Sequence, residues 1–141
     1  MTPLEALQDT LAAEHAAVSV LSFLGAQASA SRQPALYASL DAAYKAHRRQ
    51  RDQLTVMVSG RGAVPTPAAA AYDLPALTRT TSELTDAALL VEHRIAQTYG
   101  QLVESTADAE RRWALVALDD GAVRQLEFRG TPEMFPGSSR S

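Results

Sequence analysis

The chain has 141 residues, of which 46% are hydrophobic and 21% charged, with a net charge of -3 and a pI near 5.5. This size fits one domain with one core. The acidic balance argues against nucleic-acid or membrane binding through bulk charge, because such binding depends on an excess of Lys and Arg. The absence of cysteine excludes disulfides and thiolate ligands. No targeting segment and no run of the ~20 apolar residues that a membrane span needs is found, so a cytoplasmic location is expected.

The first predicted helix begins at Thr2, where Thr2, Pro3 and Glu5 have the pattern of a capping box with proline at the first helical position. Its apolar or small residues recur at three- and four-residue steps up to about residue 30: Leu4, Leu7, Leu11, Val18, Leu21, Gly25 and Ala28. After a turn at residues 29–31, a second helix carries Leu36, Leu40, Leu54 and Val58 on one stripe. Glycines within residues 59–62 end it.

Residues 60–73 contain Pro65 and Pro67 and predict an extended crossover. A cap at residues 73–75 then starts a third helix with the stripe Leu74, Leu77, Leu84, Ala88, Val91, Ile95 and Leu102. A fourth helix follows a cap at residues 105–108 and is expected to stop near Gly130, with the stripe Trp113, Val116, Val123 and Leu126. Residues 1–130 therefore form the predicted bundle, and residues 131–141 a tail whose last residues are expected to be disordered.

The order of connections is short loop, long crossover, short loop, and no segment alternates with period two. Two helical hairpins joined by one long connection are typical of ferritin-like folds. The predicted fold class is therefore all-α, an antiparallel four-helix bundle of the ferritin-like kind with a long crossover between helices 2 and 3.

Each helix also places a metal-ligand type of side chain on its predicted core stripe, near the middle of the helix: Glu14, His47, Glu92 and Asp120. Buried carboxylates are costly unless they are paired or bound to a cation. Iron, manganese or zinc would accept these ligands. An ion-pair and hydrogen-bond network would serve equally, with Tyr44, Arg51 and Arg124 as additional members.

The dinuclear site of ferritin-like bundles takes a Glu from each of two helices and Glu-x-x-His from each of the other two. Here the first such motif has Tyr44 in place of Glu before His47, and the second has Val123 in place of His after Asp120. Two metals would be under-coordinated, whereas one metal could be held. The ion-pair network is the favoured interpretation, and the metal site stays open as the alternative.

Several motifs lie at residues 13–18, where Glu14 is followed by His15 and two alanines, at residues 46–54, at residues 92–94 and at residues 132–137. Together they resemble an actinobacterial ferritin-like domain of unknown function. The resemblance covers nearly the whole chain and implies a ferritin-like bundle. It implies no particular activity.

The predicted function is a non-enzymatic binding or interaction module that needs no cofactor. One alternative is an iron- or manganese-dependent oxidoreductase or metal-binding protein, and another is a small-molecule binder with its ligand between the helices. The basic residues between Lys45 and Arg51 are interpreted as a solvated face and not as a nucleic-acid site. A homodimer is expected because Val20, Phe23 and Leu24 widen the apolar arc of the first helix.

Overall fold

The computed structural model describes residues 1–76 and 79–129. Its helices are α1 (Pro3–Gln27), α2 (Pro34–Gly60), α3 (Thr81–Ser105) and α4 (Asp108–Arg129), and these two ranges contain no strand. The prediction of an all-α four-helix bundle is confirmed. The predicted stop near Gly130, the tail at residues 131–141 and Leu77 lie outside the described residues. No helix within the described ranges combines the length and apolar character needed to cross a membrane.

Two helix starts show how side chains set the boundaries. At α1 the predicted capping box is present: Thr2 Oγ1 accepts from the Glu5 amide at 3.1 Å, and the Thr2 amide donates to Glu5 Oε2 at 2.8 Å. The predicted cap of α3 at residues 73–75 is wrong. This helix begins after Thr80, whose hydroxyl accepts from the Glu83 amide at 3.3 Å. Thr80 and Glu83 have the spacing of a capping box, and that signal outweighs the proline at residue 75.

Two apolar clusters divide the core along its length. The lower cluster joins the first halves of α1 and α4 to the second halves of α2 and α3, and includes Leu7, Leu11, Leu54, Val58, Tyr99, Leu102 and Ala114. The upper cluster joins the opposite halves and includes Leu21, Leu24, Leu36, Leu40, Leu84, Ala88 and Phe128. Hence α1 and α4 run in one direction, while α2 and α3 run in the other.

The crossover between α2 and α3 spans residues 61–80 and is longer than the predicted 60–73. Because it links two helices that run in the same direction, it must traverse the length of the bundle. Gln8 of α1 fastens its beginning, donating to the Val64 carbonyl at 2.8 Å and accepting from Thr66. His15 Nε2 lies 2.9 Å from the Thr66 carbonyl. At the other end of the crossover, Gln33 Nε2 donates to the Arg79 carbonyl at 3.3 Å. This contact holds the end of the crossover beside the start of α2.

The predicted core stripe of α4 is confirmed only at Trp113, which packs against the lower cluster. Val116 and Val123 are 60% and 56% exposed, and Leu126 is 38% exposed. The buried face of α4 is instead built from small and polar residues: Ala114, Ala117, Gly121, Arg124, Gln125 and Phe128. Small side chains let α4 approach its neighbours closely, and Arg124 supplies a positive charge to the core. Hydrophobicity alone therefore selects the wrong side of this helix.

The apolar arc predicted on α1 is not an open face either. Leu24 is fully buried in the upper cluster, and Val20 and Phe23 pack against the same cluster and are only partly exposed. The second half of α1 uses its wide apolar surface for contacts within the chain. This arc therefore gives no reason to expect a homodimer.

Candidate functional site

His47 of α2 occupies the middle of the bundle, between a carboxylate of α1 and a carboxylate of α3. Its Nδ1 atom lies 2.7 Å from Oε2 of Glu14, and its Nε2 atom lies 2.7 Å from Oε1 of Glu92. All three side chains are completely buried. Since an ionised carboxylate can only accept hydrogen bonds, both ring nitrogens must donate, and only the protonated imidazolium can do this.

Glu14 is further held by two neutral groups on other helices. Its Oε1 atom accepts from Gln50 Nε2 at 2.7 Å and from the Tyr99 hydroxyl at 2.9 Å. Gln50 also lies 3.1 Å from the Tyr99 hydroxyl, which can accept from it. Glu14 therefore receives three hydrogen bonds, which compensate a carboxylate removed from water.

Glu92 receives its second positive partner from α4. Arg124 Nε lies 3.1 Å from both carboxylate oxygens of Glu92. The Arg124 side chain is 11% exposed, so this ion pair is almost as buried as that of His47. We call Glu14, His47, Glu92 and Arg124 the charged layer. With Glu14 and Glu92 ionised and His47 protonated, its two negative and two positive charges balance.

The pKa values of the charged layer follow from this arrangement. Burial opposes the charged form of His47, but the hydrogen bonds and charges of Glu14 and Glu92 outweigh it and raise the pKa of His47 to about 9. Burial likewise opposes the charge of Glu92, but His47 and Arg124 prevail and lower its pKa. Burial and the Glu14 carboxylate raise the pKa of the Tyr99 hydroxyl well above its usual value, so Tyr99 stays a neutral donor.

The structure brings together Glu14, His47, Glu92 and Arg124 from the predicted site residues. Asp120 is exposed and lies on the wall of a cleft between α2 and α4, so its assignment to the core stripe is wrong. Asp120 follows Ala117 by three residues, yet the turn of α4 that points inward carries Gly121 and Arg124 in its place.

Two further predicted members of the polar layer lie at the edge of the buried face of α2. Arg51 is partly exposed and pairs with its neighbour Asp52 at 2.9 Å. Tyr44 packs against the upper cluster, with the Arg48 guanidinium 5.5 Å from the centre of its ring. Each follows a buried residue of the stripe, Leu40 or His47, by four positions and so lies beside the stripe. Within the described residues, no hydrogen bond or ion pair joins either side chain to the charged layer. Their predicted place in the layer is wrong.

Sequence reasoning missed several buried polar residues, among them Gln50, Tyr99 and Gln125. Gln50 lies one turn after His47, and Tyr99 continues the α3 stripe of Glu92 and Ile95, so helical spacing could have found both. Gln125 is 1% exposed, and neither atom of its amide has a hydrogen-bond partner in the described part of the chain. No sequence signal separated it from a surface glutamine.

The donor atoms of this layer do not fit a dinuclear metal centre. Both nitrogens of His47 are used in hydrogen bonds, Asp120 faces outward, and Val123, which stands where a second histidine is needed, is 56% exposed. Among residues 1–76 and 79–129, no three His, Asp or Glu side chains are arranged to hold a metal ion. A metal would have to displace the hydrogen bonds that hold the layer together.

The family of the chain is established by a match to the family described as "Domain of unknown function (DUF4439)", which extends over residues 6–140. The chain belongs to this family. The DUF4439 domain is therefore nearly the whole chain, and the charged layer lies well inside it. No curated protein matches the chain.

A solved structure gives the same fold. The crystal structure of a conserved hypothetical protein, rv2844, from Mycobacterium tuberculosis is similar to this DUF4439 domain, with a TM-score of 0.81 and 30% sequence identity. The similarity covers 91% of this chain and 95% of that chain. It extends over whole molecules and not over one helical hairpin.

Proposed function

We propose that this DUF4439 domain is a non-enzymatic binding or interaction module, in which the charged layer is structural. The observation that carries the proposal is that His47 uses both ring nitrogens to bridge Glu14 and Glu92. A catalytic base needs a free lone pair, and a catalytic metal needs an open coordination position. The hydrogen bonds of His47 leave neither.

The role assigned to the layer is to fix how the helices pack. Each charged member comes from a different helix, so the ion pairs link α1 to α2, α2 to α3 and α3 to α4. Buried ion pairs add little net stability compared with apolar packing, but they penalise arrangements that separate their members. A helix that slipped by one turn would leave a buried charge without its partner.

The bundle is further proposed to be ferritin-like. A four-helix bundle with one long crossover is the connectivity of that group, and here the crossover of residues 61–80 links helices that run in the same direction. In this view the charged layer occupies the level at which ferritin-like proteins hold their metals, and the imidazolium of His47 stands in for a cation.

The alternative function, an iron- or manganese-dependent oxidoreductase or metal-binding protein, is favoured by one observation. Glu14, His47 and Glu92 are good metal ligands from three helices, and they meet at one level of the core. To bind a metal, His47 would have to lose a proton and a hydrogen bond, and Asp120 would have to turn inward.

Elemental analysis of the protein purified without added metal distinguishes the two functions. The structural account expects iron and manganese far below one equivalent per chain, and an unchanged melting temperature when either ion is added. Glu92→Gln is the matched variant, because it removes a candidate ligand but keeps the shape. Stoichiometric metal in the wild type that is lost in Glu92→Gln would overturn the proposal.

We also propose that the module associates with a second copy of itself. What supports a homodimer is the outer surface of α4, where Leu115, Val116, Val123 and Leu126 are each between 38% and 60% exposed. Exposed apolar side chains gathered on one helix are typical of an interaction surface. A dimer mass in light scattering at tens of micromolar would support it, and a monomer mass would contradict it.

A further inference from the structure

The outer face formed by α2 and α4 contains an open groove. Between the two helices lies a cleft of about 420 Å³, with Arg49 and Gln53 of α2 on one wall and Trp113 and Asp120 of α4 on the other. Arg124 forms part of its lining, and the Nη2 atom of Arg124 is buried without a hydrogen-bond partner in the described residues. The pair α2 and α4 thus leaves an open groove where the pairs α1–α2 and α3–α4 pack closely.

The two walls of this groove carry opposite charges. Arg49 is exposed on α2, while Asp120 and Glu127 are exposed on α4. Within residues 1–76 and 79–129, none of these three side chains takes part in an ion pair. The face therefore presents a positive charge on α2 beside negative charges on α4, and the two are complementary if the face meets a copy of itself.

Apolar residues flank the charged ones at the same face. Val116 and Val123 stand one turn before and one turn after Asp120, and Val56 of α2 is 63% exposed. On α2, Ala46 lines the same cleft and is too small to fill it. Apolar contacts around a few charges are the usual composition of a protein interface.

We propose that a second copy of this chain docks on the α2–α4 face, with α4 of each copy lying against α2 of the other. This inference rests on the self-association proposed above and names its surface. A two-fold axis parallel to the bundle, in the plane of the interface, places α4 of each copy opposite α2 of the other and keeps each residue at its own level. Asp120 then faces the partner's Arg49, and the partner's Asp120 faces Arg49.

The same geometry explains why α4 exposes valines and buries small and polar residues. Val116 and Val123 are exposed in one copy because their partners belong to the other copy. A nucleic acid would be repelled by the Asp120 and Glu127 carboxylates, and a small anion would leave the valines in water. A second copy satisfies the charges and the apolar side chains together.

A mixing experiment tests this contact between chains. Arg49→Glu and Asp120→Arg each place like charges across the interface, so each variant alone should dimerise with an affinity lower by roughly tenfold or more. In a mixed dimer the introduced glutamate faces the introduced arginine, and at the symmetry-related contact the unchanged Asp120 of one variant faces the unchanged Arg49 of the other. The mixture should therefore recover dimers. An attraction inside one chain cannot be restored by mixing. Sedimentation velocity at several concentrations gives the dimer fraction.

Arg48→Glu is the matched control, because Arg48 is exposed on the side of α2 that faces Tyr44 and not α4. It should leave the dimer unchanged. A monomeric wild type, a mixture that stays monomeric, or equal weakening by Arg48→Glu would each overturn the proposed interface. Metal analysis of the same samples separates the proposals. A metal-loaded dimer overturns only the structural role of the layer, and a metal-free monomer overturns the self-association together with its interface. A metal-free dimer that the charge variants leave unchanged overturns only the interface.

Discussion

The Nε2 atom of His47 lies 2.7 Å from Oε1 of Glu92, and neither side chain has any exposed surface. The pair joins α2 to α3, two helices that the chain connects only through the long crossover. It therefore fixes a contact between the two halves of the molecule that chain connectivity alone leaves free. Substitutions within the charged layer and near it should therefore change the free energy of unfolding.

Removal of Glu14 should leave His47 with one carboxylate in place of two. Glu14→Ala is expected to lower the free energy of unfolding by about 3–5 kcal/mol, because a buried ion pair broken from one side leaves an uncompensated charge. Denaturant titration measures the change. Asp9→Ala, an exposed acidic position on the same helix, serves as the control and should change stability by less than about 0.5 kcal/mol. Equal effects of the two substitutions would contradict a buried ionic role for Glu14.

The pH dependence of stability should carry the signature of His47. Its pKa is raised from 6.5 to about 9 in the folded chain, so its contribution is complete below pH 6.5 and is lost as the pH rises through about 9. The free energy of unfolding of the wild type should therefore fall between pH 6.5 and about 9. On the acid side, Glu92 has a lowered pKa, and its contribution is present above pH 4.5 and lost as the pH falls below it.

His47→Gln should remove the alkaline decline, although it lowers stability throughout, since the carboxylates lose a positive partner. His15→Gln is the control, because His15 is only partly buried and contacts the crossover, and it should keep the decline. A decline of the same size in His47→Gln would assign the effect to another group.

Substitution of Gln125 should raise the free energy of unfolding, whereas the substitutions in the charged layer lower it. Its amide is buried and makes no hydrogen bond within the described residues, and such a group costs free energy in the folded state. Gln125→Met, which keeps the length of the side chain, should raise the free energy of unfolding by about 1–3 kcal/mol. Gln101→Met, an exposed position on α3 outside the proposed interface, is the control for the added methionine. Destabilisation by Gln125→Met would mean that the amide has a bonded partner in the folded protein.

The sequence was most informative where local chemistry decides structure. The capping box at Thr2 and the stripe of α1 predict that helix correctly, and they place Glu14 in the core beside His47. These signals work because capping and helical spacing act between residues within one or two turns. The predicted start of α3 is wrong because the sequence offers two capping patterns, one at Asp73 and Pro75 and one at Thr80 and Glu83. Residue propensities do not show which of the two patterns begins the helix.

The sequence predicts the wrong buried face for α4, because contacts with other helices decide which face is buried. Val116 and Val123 are the better core residues by hydrophobicity, yet Gly121 and Arg124 face inward. That choice depends on Glu92 of α3, which needs a cation, and on how closely α4 must approach. Neither requirement is written in α4 itself, so the sequence places Asp120 in the core and gives no sign that Gln125 is buried.

The protonation state of His47 tests the central claim most directly. Nitrogen-15 NMR of the imidazole reports each ring nitrogen separately, and the charged layer requires both to carry a proton at pH 7 because both donate to carboxylates. The account predicts the spectrum of an imidazolium that persists until the pH approaches about 9. A neutral imidazole with one bare nitrogen at pH 7, titrating near 6.5, would contradict it and would leave that nitrogen free for a metal or a substrate.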